Sequence, residues 1–394
     1  MCFFLCLWDD RKGLTVLDMV LRRAALNLNF TFLLGGKACK KNRKKQSKER
    51  SQKYTTKKKE RKKQTTMTII VGGGVEEEGE EDDFVPTVSL TLYETDFDQF
   101  VNKLGEAYEK YGFVILENHG VAQTDIERAF RLSKSFFEDL SQEEKEKYHL
   151  PGKGGARGFT AFGRETAKGA TKSDLKEFWH QGRDLPTKGH KFEKFMPPNV
   201  EVNEIEGFTE SAKHIFYSLD ELGNRVLQAL AVYLKQDRHF FDDKVDEGNS
   251  ILRIIHYPPI AEESAGHVRA GAHEDINLIT LLLGADEGGL QILRKDGKWL
   301  DVNPAPGCVT CNIGDMLQRL TNHVLPSTTH RVVNPPKERA HIPRFSMPYF
   351  LHPNPDYVID TLESCVSEDR PNRYPEPISS DDYLQERLKE IKLK

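Results

Sequence analysis

Cysteine is scarce. Six in 394 residues cannot build a disulfide framework and fit a reducing compartment. Long apolar runs are missing too: no stretch of about 18 uncharged apolar residues occurs, which excludes a membrane-spanning helix. A secretory leader is poorly matched, because Asp9, Asp10, Arg11 and Lys12 interrupt the apolar start after eight residues. The glycines at 152–169 lack a Gly-Lys-Ser/Thr ending, so they form no phosphate loop. Cys308-Val-Thr-Cys311 has no second CxxC to complete a tetrahedral zinc site. In a strand its two cysteines point to opposite faces, and burial is the expectation for both. No internal repeat is visible.

Acids are nearly absent from Lys37 to Lys63, where fifteen Lys/Arg meet two Glu for a net of +13. Bases are absent from Glu76 to Asp83, which carries seven acids. Residues 1–36 add +1, so the total of −4 leaves −11 for residues 84–394. An acidic body therefore follows an oppositely charged extension, residues 1–83, expected to be disordered because it has little to bury. Nuclear targeting and nucleic-acid contact are functional readings of the basic run. With no interleaved aromatics, a dispensable extension is favoured over either. The expected location is cytoplasmic, or nuclear through the run at 37–63.

What is present begins near Val85 to Leu90, which alternates like a first strand. Asp96 should cap a helix whose apolar face is Phe97, Phe100, Val101, Leu104, Tyr108 and Tyr111. Gly112 ends it, and 112–116 reads as a buried strand leading to Asn118-His119-Gly120. Ser141 and Glu144 form a capping box before a short helix expected to end at Tyr148. Residues 151–175 read as an ordered glycine-rich loop. A long amphipathic helix then carries Ile215, Leu219, Leu222, Val226, Leu230 and Tyr233. From Ser250 onward, short apolar runs between Gly, Pro and Asn point to a sandwich or jelly roll. The expected fold is α+β, mainly β, with an N-terminal helical region at 84–235 and a β-core with C-terminal segment at 236–394.

The chemistry concentrates in 250–350. If His273 and Asp275 lie in one strand they share a face, and Glu274 points away. A third ligand must come from elsewhere; His330 is the best candidate and His323 the alternative. Two His and a carboxylate on one side of a metal leave three positions open, the arrangement used by non-haem Fe(II) oxygenases. Fourteen residues after His330, Arg344 and Ser346 form another same-face pair. Arginine grips carboxylates bidentately and a hydroxyl adds a donor.

The chain resembles the isopenicillin N synthase-like family of 2-oxoglutarate/Fe(II)-dependent dioxygenases. The resemblance rests on Val85 to Leu90, Gly112 to Gly120, Leu252 to Pro258, His273 to Leu282, Gly288 to Ile292, Asn312 to Asp315, Leu325 to Pro335 and Arg344 to Phe350. It implies a double-stranded β-helix (jelly-roll) core, with Fe(II) held by His273, Asp275 and His330. It also implies that Arg344 and Ser346, with Tyr257, hold the 2-oxoglutarate C5 carboxylate. O₂ would be the co-substrate, with ascorbate as a supporting reductant. A small organic substrate would be hydroxylated, desaturated or cyclised, with release of succinate and CO₂. An oxidase of the isopenicillin N synthase type, consuming no oxo acid, is the alternative. A binding protein that keeps the fold as a scaffold is the third reading. Loops near Arg157 to Phe159, Lys176 to Trp179 and Pro371 to Tyr383 should determine substrate. Arg157 or Lys176 could grip an acidic group, although a surface charge is the commoner role. His119 and His256 read as packing residues, and His267 as lining the entrance.

Overall fold

A computed structural model describes residues 84–151, 156–164, 173–186, 188–260, 267–284 and 288–390. The extension expected to be disordered and about half of the glycine-rich segment 151–175 lie outside these residues. Strand β1 (Thr87–Ser89) pairs parallel with β2 (Phe113–Glu117). It is shorter than the alternation suggested, because α1 (Thr91–Thr95) begins right after it. Helix α2 (Phe97–Tyr111) starts where the Asp96 carboxylate accepts from Gln99 N at 3.1 Å. It stops at Gly112, whose φ of 66° suits glycine; a Cβ there would fall 2.3 Å from Thr328 Oγ1.

Helix α3 (Gln123–Lys134) runs into a π-turn at Ser135–Asp139, and α4 (Gln142–Glu146) follows. Both halves of the Ser141/Glu144 capping box are present. The helix ends at Glu146, two residues short of the expected Tyr148. Helix α5 (Phe208–Tyr233) buries Ile215, Leu219, Leu222, Val226 and Leu230 on one stripe. Each such side chain contributes about 1.5–3 kcal/mol when fully buried.

Strands β3 (Gly158–Thr160), β4 (Glu177–Gly182), β5 (Ile251–Tyr257), β7 (Ile279–Leu283), β10 (Val309–Ile313) and β12 (Arg344–Leu351) join the first two in an eight-stranded sheet. Its order is β1-β2-β10-β7-β12-β5-β4-β3. A second sheet, in the order β6-β11-β8-β9, contains β6 (Ala270–His273), β8 (Leu290–Leu293), β9 (Trp299–Asp301) and β11 (His330–Val332). The sheets meet through an apolar cluster of Phe113 and Ile115 from β2 with Leu290, Ile292 and Val302. This is the jelly-roll sandwich.

Period-two alternation gives the main sheet two different faces. Val114, Leu281, Cys311, Met347 and Tyr349 belong to the large cluster shared with α5 and the other N-terminal helices. Helix α5 touches β4, β5, β7 and β12, and a Cβ on its Gly223 would fall 2.5 Å from Leu351 Cδ1. One residue along each strand, Phe113, Asn312, Thr280 and Phe350 follow one another across the ladder on the face toward the second sheet, and Ser346, paired with Ile255, shares that face of β12.

Candidate metal centre

The second sheet brings the two histidines together. His273, the last residue of β6, pairs across the ladder with His330, the first of β11. Their ring centroids lie 4.4 Å apart. Asp275 joins them by another route than expected. Strand β6 stops at His273, so the two ligand candidates do not share a strand face. The chain turns away because its carbonyls have other partners. Asp315 N donates to Asp275 O at 2.7 Å and Met316 N to Ile276 O at 3.1 Å. These are first-turn donors of α6 (Asp315–Leu320) that have no partner within the helix. Gly314 permits the approach, since a Cβ there would lie 2.1 Å from Asn277 O.

The donor set fits a metal ion. One ligand atom from each of His273, Asp275 and His330 lies within 4.8 Å of the others. Asp275 Oδ1 stands 3.9 Å from His273 Nε2 and 3.8 Å from His330 Nε2. Its Oδ2 is held by Thr280 Oγ1 at 2.6 Å and Asn312 Nδ2 at 2.8 Å. Each imidazole directs Nδ1 at a backbone carbonyl, Gly271 O at 2.7 Å and Thr328 O at 3.1 Å. A carbonyl only accepts, so the proton sits on Nδ1 and Nε2 presents a lone pair inward.

Electrostatics keep the set ready for a cation. Burial raises the Asp275 carboxyl, but the two imidazoles and two hydrogen bonds outweigh it and hold the group below the ordinary carboxylate range. Burial and the neighbouring His330 push the His273 imidazole down to about 4, so it is neutral near pH 7. Yet 38% of the His273 side chain is accessible, against 10% for His330 and 7% for Asp275. The cluster opens on the His273 side.

On the same interior face, Arg344 and Ser346 project together from β12. Both are buried, and Arg344 Nη1 donates to Ser346 Oγ at 3.2 Å. Tyr257 is the cross-strand partner of Arg344 and lies under its guanidinium, 5.1 Å from Cζ to ring centroid. Phe178, Ile255 and Tyr257 wall this end. A desolvated guanidinium, a hydroxyl and a phenol can hold a carboxylate here.

His323 is not part of the cluster. It sits in the left-handed region at φ 63° and bonds Tyr374 OH at 2.5 Å. Cys308 and Cys311 pack on opposite faces, in different apolar clusters. His119 and His267 bond the carbonyls of Gly307 and Ser173. Arg157 and Lys176, whose commoner role is at the surface, are both buried. Arg157 lies against Gly182, where a Cβ would meet its Cζ at 1.9 Å, and burial lowers its pKa to about 10. Lys176 pairs with Asp174 at 2.8 Å, and Asp174 also accepts from Gly271 N two residues before His273. Thr280 and Asn312 were not singled out from sequence. Their signal is strand parity, because both point to the interior face.

Residues 85–204 match the family described as non-haem dioxygenase in morphine synthesis N-terminal, and 248–353 match the 2OG-Fe(II) oxygenase superfamily. A 2-oxoglutarate-Fe(II) type oxidoreductase of Aspergillus fumigatus is 33% identical over 287 residues, covering 70% of this chain and 83% of that protein. A 2OG-Fe(II) oxygenase family protein from Caulobacter crescentus superposes with a TM-score of 0.72 at 54% identity, covering 77% of this chain and 98% of that one. A full-length Neurospora crassa protein, solved in complex with alpha-KG, gives 0.69 at 32% identity, covering 78% and 97%. The same Neurospora protein is also solved with thymine or 5-formyluracil beside alpha-KG. Among the described residues, no helix is long and apolar enough to cross a membrane. With a jelly-roll core, a His-Asp-His cluster inside it and these relatives, the chain belongs to the isopenicillin N synthase-like 2-oxoglutarate/Fe(II) oxygenases and is an Fe(II)- and 2-oxoglutarate-dependent dioxygenase.

Proposed function

We propose that His273 Nε2, Asp275 Oδ1 and His330 Nε2 are the protein ligands of Fe(II), and that Arg344, Ser346 and Tyr257 hold the distal carboxylate of 2-oxoglutarate. The protein then oxidises a small organic substrate and consumes one 2-oxoglutarate per turnover, releasing succinate and CO₂. One observation carries this reading: the residues that fasten Asp275 and the carboxylate clamp lie on one face of one sheet. Thr280 on β7 bonds Asp275, and Ser346 lies on β12, its hydrogen-bonded neighbour.

Bound Fe(II) and 2-oxoglutarate supply O₂ activation. The chain's own groups position them. Thr280 and Asn312 hold Asp275 Oδ2, which leaves Oδ1 for the metal. The carbonyls of Gly271 and Thr328 fix both imidazole tautomers. Arg344 supplies the charge that the buried carboxylate needs. Apolar clusters at both ends of the interior face keep out bulk water. The more accessible side, beside His273, is the approach for substrate. The Neurospora relative, with its thymine and 5-formyluracil complexes, supports a compact organic molecule there.

An anaerobic Fe(II) titration with and without 2-oxoglutarate tests the binding half of the reading. A visible charge-transfer band that needs both is the expected result. Turnover with Fe(II), ascorbate and a processed substrate should release succinate in step with product. Product without succinate would instead establish an oxidase, with Arg344 and Ser346 holding a substrate carboxylate.

A further inference from the structure

On the helical side of the main sheet, directly behind the clamp, three polar side chains are buried together. Lys145, Glu177 and His256 retain 6%, 5% and 5% accessibility. Lys145 Nζ donates to both Glu177 oxygens, at 3.1 and 2.9 Å, and to Phe137 O at 3.2 Å. Those bonds account for all three of its N–H groups. Glu177 Oε1 also accepts from His256 Nδ1 at 2.8 Å, and His256 Nε2 is buried with no partner among the described residues. The imidazole lies on Phe345 with ring centroids 4.7 Å apart at 18°.

This cluster is a weak source of stability. Replacing a buried ion pair by apolar groups of similar volume is often neutral or stabilising. A buried group with no partner adds a further cost. What the cluster supplies is direction, since its hydrogen bonds hold side chains at fixed distances and angles whereas apolar contact is non-directional. Its place in the sheet gives that direction a use. Glu177, His256 and Phe345 are neighbours across β4, β5 and β12. Each is the chain neighbour of interior-face residues: Phe178, Tyr257, and the pair Arg344 and Ser346.

We propose that Lys145, Glu177 and His256 are positioning residues for the co-substrate clamp. Through them the N-terminal helix α4 locks three strands and sets the spacing of Arg344, Ser346 and Tyr257. The proposal rests on the reading of those three residues as the 2-oxoglutarate site.

Two variants test it. His256→Phe keeps a ring on Phe345 and removes the bond to Glu177. Lys145→Met combined with Glu177→Met removes both charges at similar volume. Each full-length protein is titrated anaerobically with Fe(II) and then 2-oxoglutarate, following the charge-transfer band, and its Tm is recorded. Arg344→Lys is run in parallel. Both variants should bind 2-oxoglutarate about ten-fold more weakly, the lower end of what losing an outer-shell partner costs. Fe(II) affinity should stay at the wild-type value; Tm should hold or rise in His256→Phe and fall only slightly in the double variant, which strips His256 Nδ1 of its acceptor. Wild-type 2-oxoglutarate affinity in a folded variant overturns the proposal. So does a parallel fall of Fe(II) affinity, 2-oxoglutarate affinity and Tm, which is the mark of packing alone. If Arg344→Lys also leaves 2-oxoglutarate binding intact, the clamp reading has failed and takes the proposal with it. If Arg344→Lys weakens binding and the other variants do not, the positioning role alone is lost.

Discussion

The two faces of the main sheet are made by the same strands and carry different duties. On the helical face, Leu281, Cys311, Met347 and Tyr349 are fully buried in one apolar cluster. One residue along each strand, the interior face carries Thr280, Asn312 and Ser346. The first two hold Asp275, and the third accepts from Arg344. Packing on one side sets the strand positions, and those positions aim the polar groups on the other. A slip of one residue in any strand would bury the wrong set. The comparison predicts that apolar substitutions on the helical face change stability and those on the interior face change ligand binding, with the buried polar cluster of Lys145, Glu177 and His256 as the exception.

His330→Ala should sharpen that contrast most. It removes one of three proposed ligands and touches none of the helical-face packing, so tight Fe(II) binding and turnover should vanish while the circular dichroism spectrum persists. Full turnover of the purified variant would remove His330 from the ligand set.

Arg344→Lys comes next. Losing a bidentate contact to a desolvated carboxylate costs about 2–5 kcal/mol, or roughly 30- to several-thousand-fold in 2-oxoglutarate affinity. Fe(II) binding should be almost unchanged in the same titration. Leu281→Ala probes the opposite face. It should lower unfolding free energy by about 2–5 kcal/mol, measured by denaturant titration. The folded variant should bind Fe(II) and 2-oxoglutarate as wild type does; a ten-fold change in either would break the division between apolar packing and ligand binding. Asn312→Ala should have the smallest effect, about 10- to 100-fold in metal affinity, with little change in Tm. Thr280 still holds Asp275 Oδ2 in that variant.

Much of this protein was legible locally. The spacing of Phe100, Leu104, Tyr108 and Tyr111 gave α2, Asp96 and Gly112 gave its ends, and Ser141 with Glu144 gave the capping box. Residue type and spacing offered His273, Asp275, His330, Arg344 and Ser346 as candidates, and the family resemblance added Tyr257. The route by which Asp275 reaches the histidines was not legible. A strand through His273 and Asp275 satisfies every local rule, but the chain leaves β6 because α6, some forty residues later in sequence, has unpaired N–H groups that take its carbonyls. The buried positions of Arg157 and Lys176 were hidden for a similar reason. Arg157 is enclosed at Gly182, and the Lys176–Asp174 pair is fastened by Gly271 N, 97 residues from Asp174.

By itself, the sequence determined the helix ends, the alternation of apolar and polar positions along the strands, and the kinds of donor available for a metal and a carboxylate. These depend on neighbours within one turn or one pleat, so the chain states them directly. Tertiary structure alone decided which strands became neighbours, which of the thirteen histidines met, and which charges were buried. It also placed Lys145 and Glu177, 32 residues apart, in one buried ion pair. Such pairings are settled by the packing of the whole sandwich, where ladder hydrogen bonds and excluded water act together between segments far apart in the chain.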